Sequence, residues 1–129
     1  MNLESKKITI SKKPHYVFEK LENLASFEGL MPENIEKFEI DGDSFIFGLK
    51  GMPEIRLVLK EKIAYSRIVL GAASSKIPFT LSLELKELEE NKTEAQLLFE
   101  GKFNPMVGMM VKKPLTSFIA TLIENIEKL

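Results

Sequence analysis

The apolar residues of this chain recur at every second position in some segments and at helical spacing in others. Residues 3–12 alternate apolar and polar side chains, which predicts a half-buried strand. Pro14 suits the first turn of a helix, where its missing N–H group is not needed. Apolar residues then follow at helical spacing: Val17, Phe18, Leu21 and Leu24. Residues 26–31 are expected to form a second short helical turn.

Residues 35–103 return to a period of two, which predicts six consecutive strands. Tyr65 is expected to open the fourth of them, and Phe103 to lie at the end of the last. The connections carry the glycine, proline, asparagine and charged residues typical of turns: residues 41–43, 50–53, Ala64, residues 71–76 and 89–92. Consecutive strands with short connections are typical of an antiparallel meander.

The last segment has the pattern of one long helix. Asn104 is a suitable N-cap, and Pro105 fits the first helical position. An apolar stripe continues from there to the end of the segment: Val107, Val111, Leu115, Phe118, Leu122, Ile126 and Leu129. About 25 residues give a helix of roughly 37 Å. Pro114 cannot bond to the carbonyl of Met110, so a kink is expected there.

These elements predict an α+β fold in a single domain that spans residues 1–129. A meander with one apolar face must cover that face, and the C-terminal helix is the large apolar element available for it. We therefore expect a strand, one or two short helices, a six-stranded antiparallel meander and a long C-terminal helix. The curved sheet grips this last helix.

The order of elements resembles that of the helix-grip superfamily, which includes START-like and birch-pollen-allergen-like domains and is also called SRPBCC. Residues 14–21, PHYVFEKL, followed by Leu30-Met31-Pro32, are similar to the early segment of its bacterial polyketide-cyclase-like members. The resemblance covers the whole chain. It implies a cavity for a hydrophobic ligand, such as a lipid, a polyketide or an aromatic molecule, between the sheet and the last helix.

The connections at the two ends of the meander differ in composition. One end has short, charged turns, whereas the other is rich in glycine, proline and small residues. Every methionine except the first residue falls at this second end: Met31, Met52, Met106, Met109 and Met110. Methionine adapts to varied apolar partners, so we interpret this end as the mouth of a ligand cavity. Methionines that fill gaps between the helix and the loops are an equally good explanation.

The strand positions that are expected to face the C-terminal helix carry only apolar side chains. These side chains form either a filled core or the wall of a cavity, and the difference depends on packing geometry. The predicted ligand-binding residues are Met31, Met52, Phe45, Phe47, Leu57, Leu59, Phe79, Leu81, Leu97, Phe99, Met106, Met109, Met110 and Phe118.

Composition and charge narrow the compartment and the partners. The chain has 129 residues, 44% of them hydrophobic and 29% charged, with a net charge of −1. Nothing electrostatic in the sequence therefore indicates a nucleic acid or an anionic membrane surface as a partner. No cysteine is present, the N-terminal segment lacks the pattern of a signal peptide, and no apolar run approaches the roughly 20 residues of a membrane span. We expect a cytoplasmic protein that is a monomer or a weak dimer.

Candidate chemistry is sparse. His15 is the single histidine, so a histidine or cysteine metal cluster is excluded, and the glycines form no phosphate-binding loop. We therefore expect no metal and no cofactor. Glu61 shares the phase of inward residues, which a bulge near the end of its strand would explain without function. Tyr65 and Arg67 are placed on one strand face, either as a polar anchor in the cavity or as a solvent-facing pair.

Three functions fit these patterns. The favoured one is binding or carriage of a small hydrophobic ligand. A cyclase- or hydrolase-like enzyme of the same fold is an alternative, and it would need Glu61, Tyr65 or Arg67 inside the cavity. A protein-interaction module that uses an exposed apolar end is the other alternative.

Overall fold

A computed structural model describes residues 1–50, 54–73 and 78–129. Within these residues the helical elements are α1 (Pro14–Glu22), a 3-10 helix (Leu24–Leu30) and α2 (Pro105–Glu127). The strands are β1 (Asn2–Glu4), β2 (Ile8–Ile10), β3 (Ile35–Asp41), β4 (Ser44–Leu49), β5 (Ile55–Ile63), β6 (Arg67–Ala72), β7 (Phe79–Glu89) and β8 (Lys92–Gly101). This order of elements confirms the predicted α+β helix-grip architecture.

All strands belong to one antiparallel sheet with the order β1-β8-β7-β6-β5-β4-β3, and β2 also pairs with β8. The consecutive pairing of β3 to β8 is the predicted meander. The N-terminal segment joins the far end of the meander and brings the start of the chain beside α2. The helix α2 contacts both β2 and β8 at this edge of the sheet.

The single strand expected over residues 3–12 is instead two short strands, because Ser5 interrupts the regular pairing. Its hydroxyl accepts a hydrogen bond from the Leu97 N–H at 2.9 Å and donates one to the Lys6 carbonyl at 2.8 Å. Side chains of this kind compete with strand ladders for backbone groups. Apolar alternation alone could not show this break.

Replacing Ser5 with alanine is expected to lower the free energy of unfolding by about 1 to 2 kcal/mol, because the buried Leu97 N–H loses a partner. Urea unfolding followed by circular dichroism measures the change. Ser11→Ala is the control, since Ser11 is exposed, and should change the value by less than about 0.5 kcal/mol. Equal values for both variants would contradict the structural role of the Ser5 hydroxyl.

The meander differs from the prediction at two strand ends, and a third lies outside the described residues. Tyr65 does not open a strand: it lies in the turn between β5 and β6 with φ of 66°, and β6 begins at Arg67. Three turn residues rather than one are needed because the chain reverses through this left-handed conformation. Phe103 lies after the end of β8. Ile77, the predicted first residue of β7, lies outside the described residues, as do residues 51–53 and 74–76 of the predicted loops.

The core is formed where the second half of α2 packs on the sheet. Its buried side chains are Leu115, Phe118, Ile119, Leu122, Ile123 and Ile126. The neighbours of α2 are β2, β8 and the 3-10 helix, and the Asn125 side-chain amide donates to the Leu30 carbonyl at 2.8 Å. The C-terminal end of α2 is thereby fixed in the sheet.

α2 also corrects one expectation about apolar runs. Its 18-residue window with a mean hydropathy of 1.3 has the length and composition of a membrane span, although no such run was expected from the sequence. Lys112 and Lys113 interrupt the run and hide it from a search for unbroken apolar stretches. Because the second half of α2 is buried against the sheet, α2 is the core helix of this fold.

Candidate ligand-binding site

A cavity of about 670 Å³ lies between the sheet and residues 107–119 of α2. The sheet side is lined by Phe47, Glu54, Ile55, Arg56, Leu57, Ala72, Ala73, Phe79, Leu81 and Phe99, and Phe103 follows β8. The helix side is lined by Val107, Met110, Val111, Leu115, Phe118 and Ile119. The cavity therefore occupies the end of the sheet opposite to the turns at Gly42, Ala64 and Asn91.

The register of the strands places the apolar side chains of the wall on one face. Leu57 pairs with Phe45 on one side and with Ala72 on the other, and residues directly opposite each other share a face. Leu81 and Phe99 are paired in the same way on β7 and β8. Because alternate residues of a strand point to the same face, the period of two in the sequence becomes one apolar surface.

Phenylalanine rings dominate the wall. The rings of Phe47 and Phe118 stack across the sheet–helix interface with centroids 5.1 Å apart, and those of Phe79 and Phe99 are 5.4 Å apart. Phe103 continues the second group at 6.2 Å from Phe99. Offset aromatic pairs at such distances are favourable beyond their buried area. The cavity thus has flat aromatic surfaces on two sides.

The polar residues of the wall are bound to other groups. Glu54 forms an ion pair with Lys37, with 3.2 Å between Oε2 and Nζ. The Arg56 guanidinium donates to the Ser44 hydroxyl at 2.8 Å and lies 3.6 Å from the Asp41 carboxylate. Arg56 pairs with Ile46, in the alternate phase to Leu57, so its side chain belongs to the outer face. Among the described lining residues, no other side chain carries an oxygen or nitrogen atom.

The predicted ligand-binding residues divide into two groups. One group lines the cavity: Phe47, Leu57, Phe79, Leu81, Phe99, Met110 and Phe118. The other group does not: Met31, Phe45, Leu59, Leu97, Met106 and Met109. Met52 lies outside the described residues. That the first group binds a ligand remains a prediction.

Packing explains why the second group lies elsewhere. Phe45 is 1% exposed because Phe27 of the 3-10 helix and Phe38 of β3 stack on its ring at 5.6 and 5.1 Å. Met31 and Leu97 are buried in the core, and Leu59 is partly buried against it. Met106 and Met109 lie on the solvent face of α2. The short helices therefore fill one end of the sheet face and leave the other end open.

The sequence-based prediction missed several lining residues. They are Glu54, Ile55, Arg56, Ala72, Ala73, Phe103, Val107, Val111, Leu115 and Ile119. For Val107, Val111 and Leu115 the signal was available, because they form the apolar stripe of α2. The sequence predicts a loop from residue 71, but β6 extends to Ala72, so that part of the prediction is wrong. The small side chains of Ala72 and Ala73 leave room for the cavity.

The candidate chemical groups lie outside the cavity. Glu61 is exposed, and the predicted bulge between Leu59 and Glu61 is present and moves it out of the inward phase. Arg67 is also exposed and pairs with Glu84, with 2.9 Å between Nε and Oε1. The exposed ring of Tyr65 contacts His15, with 4.7 Å between ring centroids. These residues do not supply a polar group to the cavity.

His15 and the other potential metal ligands are also accounted for. The Nε2 atom of His15 lies 2.8 Å from Glu19 Oε1, one helical turn along α1, and its side chain is 56% exposed. In the part of the chain that the structure describes, no group of three histidine, cysteine, aspartate or glutamate side chains could hold a metal ion.

Comparison with known proteins gives matches of structure only. No family model and no curated sequence matches the chain. A truncated norcoclaurine synthase from Thalictrum flavum matches with a TM-score of 0.78 at 14% sequence identity. The match covers 99% of this chain and 91% of the synthase chain. Another structure of that synthase is a complex with dopamine and hydroxybenzaldehyde.

Bacterial structures match over similar lengths. A START superfamily protein from Mycobacterium smegmatis has a TM-score of 0.67 at 11% identity, with 98% of this chain and 94% of that chain covered. A protein from Thermus thermophilus has a TM-score of 0.71 at 13% identity, with 99% and 95% covered. At these identities the likeness concerns the fold. The chain has the helix-grip fold of the START-like, or SRPBCC, proteins.

Proposed function

We propose that this protein binds and carries a small hydrophobic ligand in the cavity between the sheet and α2. The observation that carries the proposal is the cavity itself: about 670 Å³ with an almost wholly apolar wall. Ligand sites in proteins typically have volumes of about 300 to 1,000 Å³ and are lined mainly by hydrophobic and aromatic side chains. The volume and the lining both fall within this description.

The wall also determines which ligands are favoured. Each Å² of apolar ligand surface that leaves water contributes about 25 cal/mol, so a largely apolar molecule gains most from this site. An ionised group inside would lose its hydration without a partner, because Glu54 and Arg56 are already paired. We therefore propose a neutral lipid-like, polyketide or aromatic ligand, or one whose charged group remains at the mouth.

The structural neighbours support an aromatic ligand as one option. The synthase complexed with dopamine and hydroxybenzaldehyde shows that a chain of this fold can hold small aromatic molecules. Here the ring pairs Phe47–Phe118 and Phe79–Phe99 provide flat surfaces for a planar molecule. No observation on the described residues favours the cyclase- or hydrolase-like alternative, since its candidate residues lie outside the cavity.

Native mass spectrometry of protein purified from its own source tests the proposal. We expect a bound species that is released by organic extraction, together with a rise in the unfolding temperature when the purified protein is mixed with members of a lipid, polyketide and aromatic panel. Extracts from a matched purification without the protein are the control. A protein free of bound species that also shows no thermal shift across the panel would refute carriage of a hydrophobic ligand.

A further inference from the structure

The outward face of the first half of α2 is unusually apolar. Met106, Met109 and Met110 are 74%, 83% and 71% exposed, whereas the other exposed large hydrophobic residues in the described chain are between 43% and 48% exposed. Residues three and four positions apart lie on the same face of a helix, so these side chains form one ridge. Met106 and Met109 face away from the sheet, and Met110, which also lines the cavity, forms the inner edge of the ridge.

Lysines flank this ridge along the sequence, and no acidic residue lies on the same segment. Lys102 precedes α2, and Lys112 and Lys113 follow the ridge by one turn; all of them are exposed. No aspartate or glutamate occurs between Glu100 and Glu124. The net charge of −1 for the whole chain conceals this local segregation.

Apart from Met110, the ridge and the helix side of the cavity wall lie on opposite faces of the same turns of α2. Val107 and Val111 line the cavity on the inner side, while Met106 and Met109 face outward. Only 28% of the most apolar 18-residue window of α2 is buried in the protein. The first half of α2 therefore has apolar side chains on both faces, and the outer face has no partner among the described residues.

We propose that this methionine–lysine surface, formed by Met106, Met109, Met110, Lys102, Lys112 and Lys113, docks on an anionic lipid bilayer. Apolar side chains of an interfacial helix enter the boundary between headgroups and acyl chains, and flanking lysines contact anionic headgroups. A lipid surface satisfies both parts at once, because its apolar layer lies directly beneath its negative charge.

Co-sedimentation with lipid vesicles tests this docking, and it is independent of whether the cavity holds a ligand. Vesicles of phosphatidylcholine alone are compared with vesicles that contain phosphatidylglycerol in addition. We expect binding to the anionic vesicles that is at least about tenfold tighter and that weakens as salt is raised, since charge near the surface is screened. Failure to bind anionic vesicles at low salt would overturn the proposal.

Paired variants separate the apolar and the charged contributions. Met106→Gln with Met109→Gln is expected to weaken vesicle binding by about tenfold, without touching the cavity wall. Lys112→Gln with Lys113→Gln should weaken it by about 25-fold, because each lysine near an anionic surface contributes about fivefold. Both pairs are exposed, so circular dichroism should show an unchanged fold.

The opposite end of the molecule provides matched controls. Ile63→Gln with Leu88→Gln replaces two exposed apolar side chains, and Lys62→Gln with Lys86→Gln removes two exposed charges. These variants should bind vesicles within about twofold of the wild type. Equal losses in the control and test variants would overturn the proposal. Sedimentation velocity that shows a dimer lost only with Met106→Gln and Met109→Gln would also overturn it in favour of self-association.

Discussion

Leu122→Ala is expected to lower the free energy of unfolding by about 3 to 4 kcal/mol, whereas Leu115→Ala should cost about 2 kcal/mol or less. Both side chains are buried on α2, at 1% and 7% exposure. Leu122 is packed in the gripped half of the helix, while Leu115 faces the cavity on one side. A side chain next to empty space has fewer contacts to lose.

Urea unfolding curves give both values, and Ser117→Ala serves as the control. Ser117 is exposed on the same helix, so its replacement should change the free energy of unfolding by less than about 0.5 kcal/mol. The comparison holds the chemistry constant, since the same atoms are removed at both leucines. A cost for Leu115→Ala equal to that for Leu122→Ala would mean that α2 is packed as tightly beside the cavity as it is at Leu122.

Ala72→Phe is expected to lower the affinity for a hydrophobic ligand by about a hundredfold while the protein stays folded. Ala72 lies opposite Leu57 on the inner face of the sheet and lines the cavity. A phenyl ring there would occupy volume that the ligand needs and would contact existing apolar walls. Filling a real cavity is neutral or stabilising, in contrast to overpacking a filled core.

Isothermal titration with the ligand identified by mass spectrometry measures the loss of affinity. Ala64→Phe is the matched control, because Ala64 is exposed in the turn between β5 and β6 at the other end of the sheet. It should bind as the wild type does. If Ala72→Phe retained full affinity with an unchanged fold, the ligand would have to bind outside this cavity.

The architecture could be predicted from the sequence because each element repeats its period over many residues. The alternation over residues 35–103 and the stripe of α2 are independent signals, and together they leave few ways to cover the sheet. Local exceptions could not be predicted. The Ser5 hydroxyl breaks the first strand through one hydrogen bond to Leu97, and the left-handed turn at Tyr65 delays β6. Such features do not alter the spacing of apolar residues along the sequence, so the pattern gives no sign of them.

The site was predicted less completely than the fold, for a physical reason. Phe45 and Phe47 have the same phase on β4, yet Phe27 of the 3-10 helix covers the first, while the second lines the cavity. Which inward residue is covered depends on where a distant segment packs, and no local pattern contains that position. For the methionines of α2, the sequence predicted the end of the molecule at which they lie. It did not predict that Met106 and Met109 would be on the solvent face of the helix and not on the cavity face.

The pairing of β1 with β8 limits how early the sheet can be completed while the chain is being synthesised. The amino group of Met1 donates to the carbonyl of Gly101 at 2.7 Å, across 100 residues of chain. The middle strands can pair with neighbours as they emerge from a ribosome, but β1 and β2 must wait for β8, and the sheet stays without its helix until α2 follows. Apolar side chains destined for the inner face are thus exposed through most of synthesis, the period in which a nascent chain is most prone to aggregate.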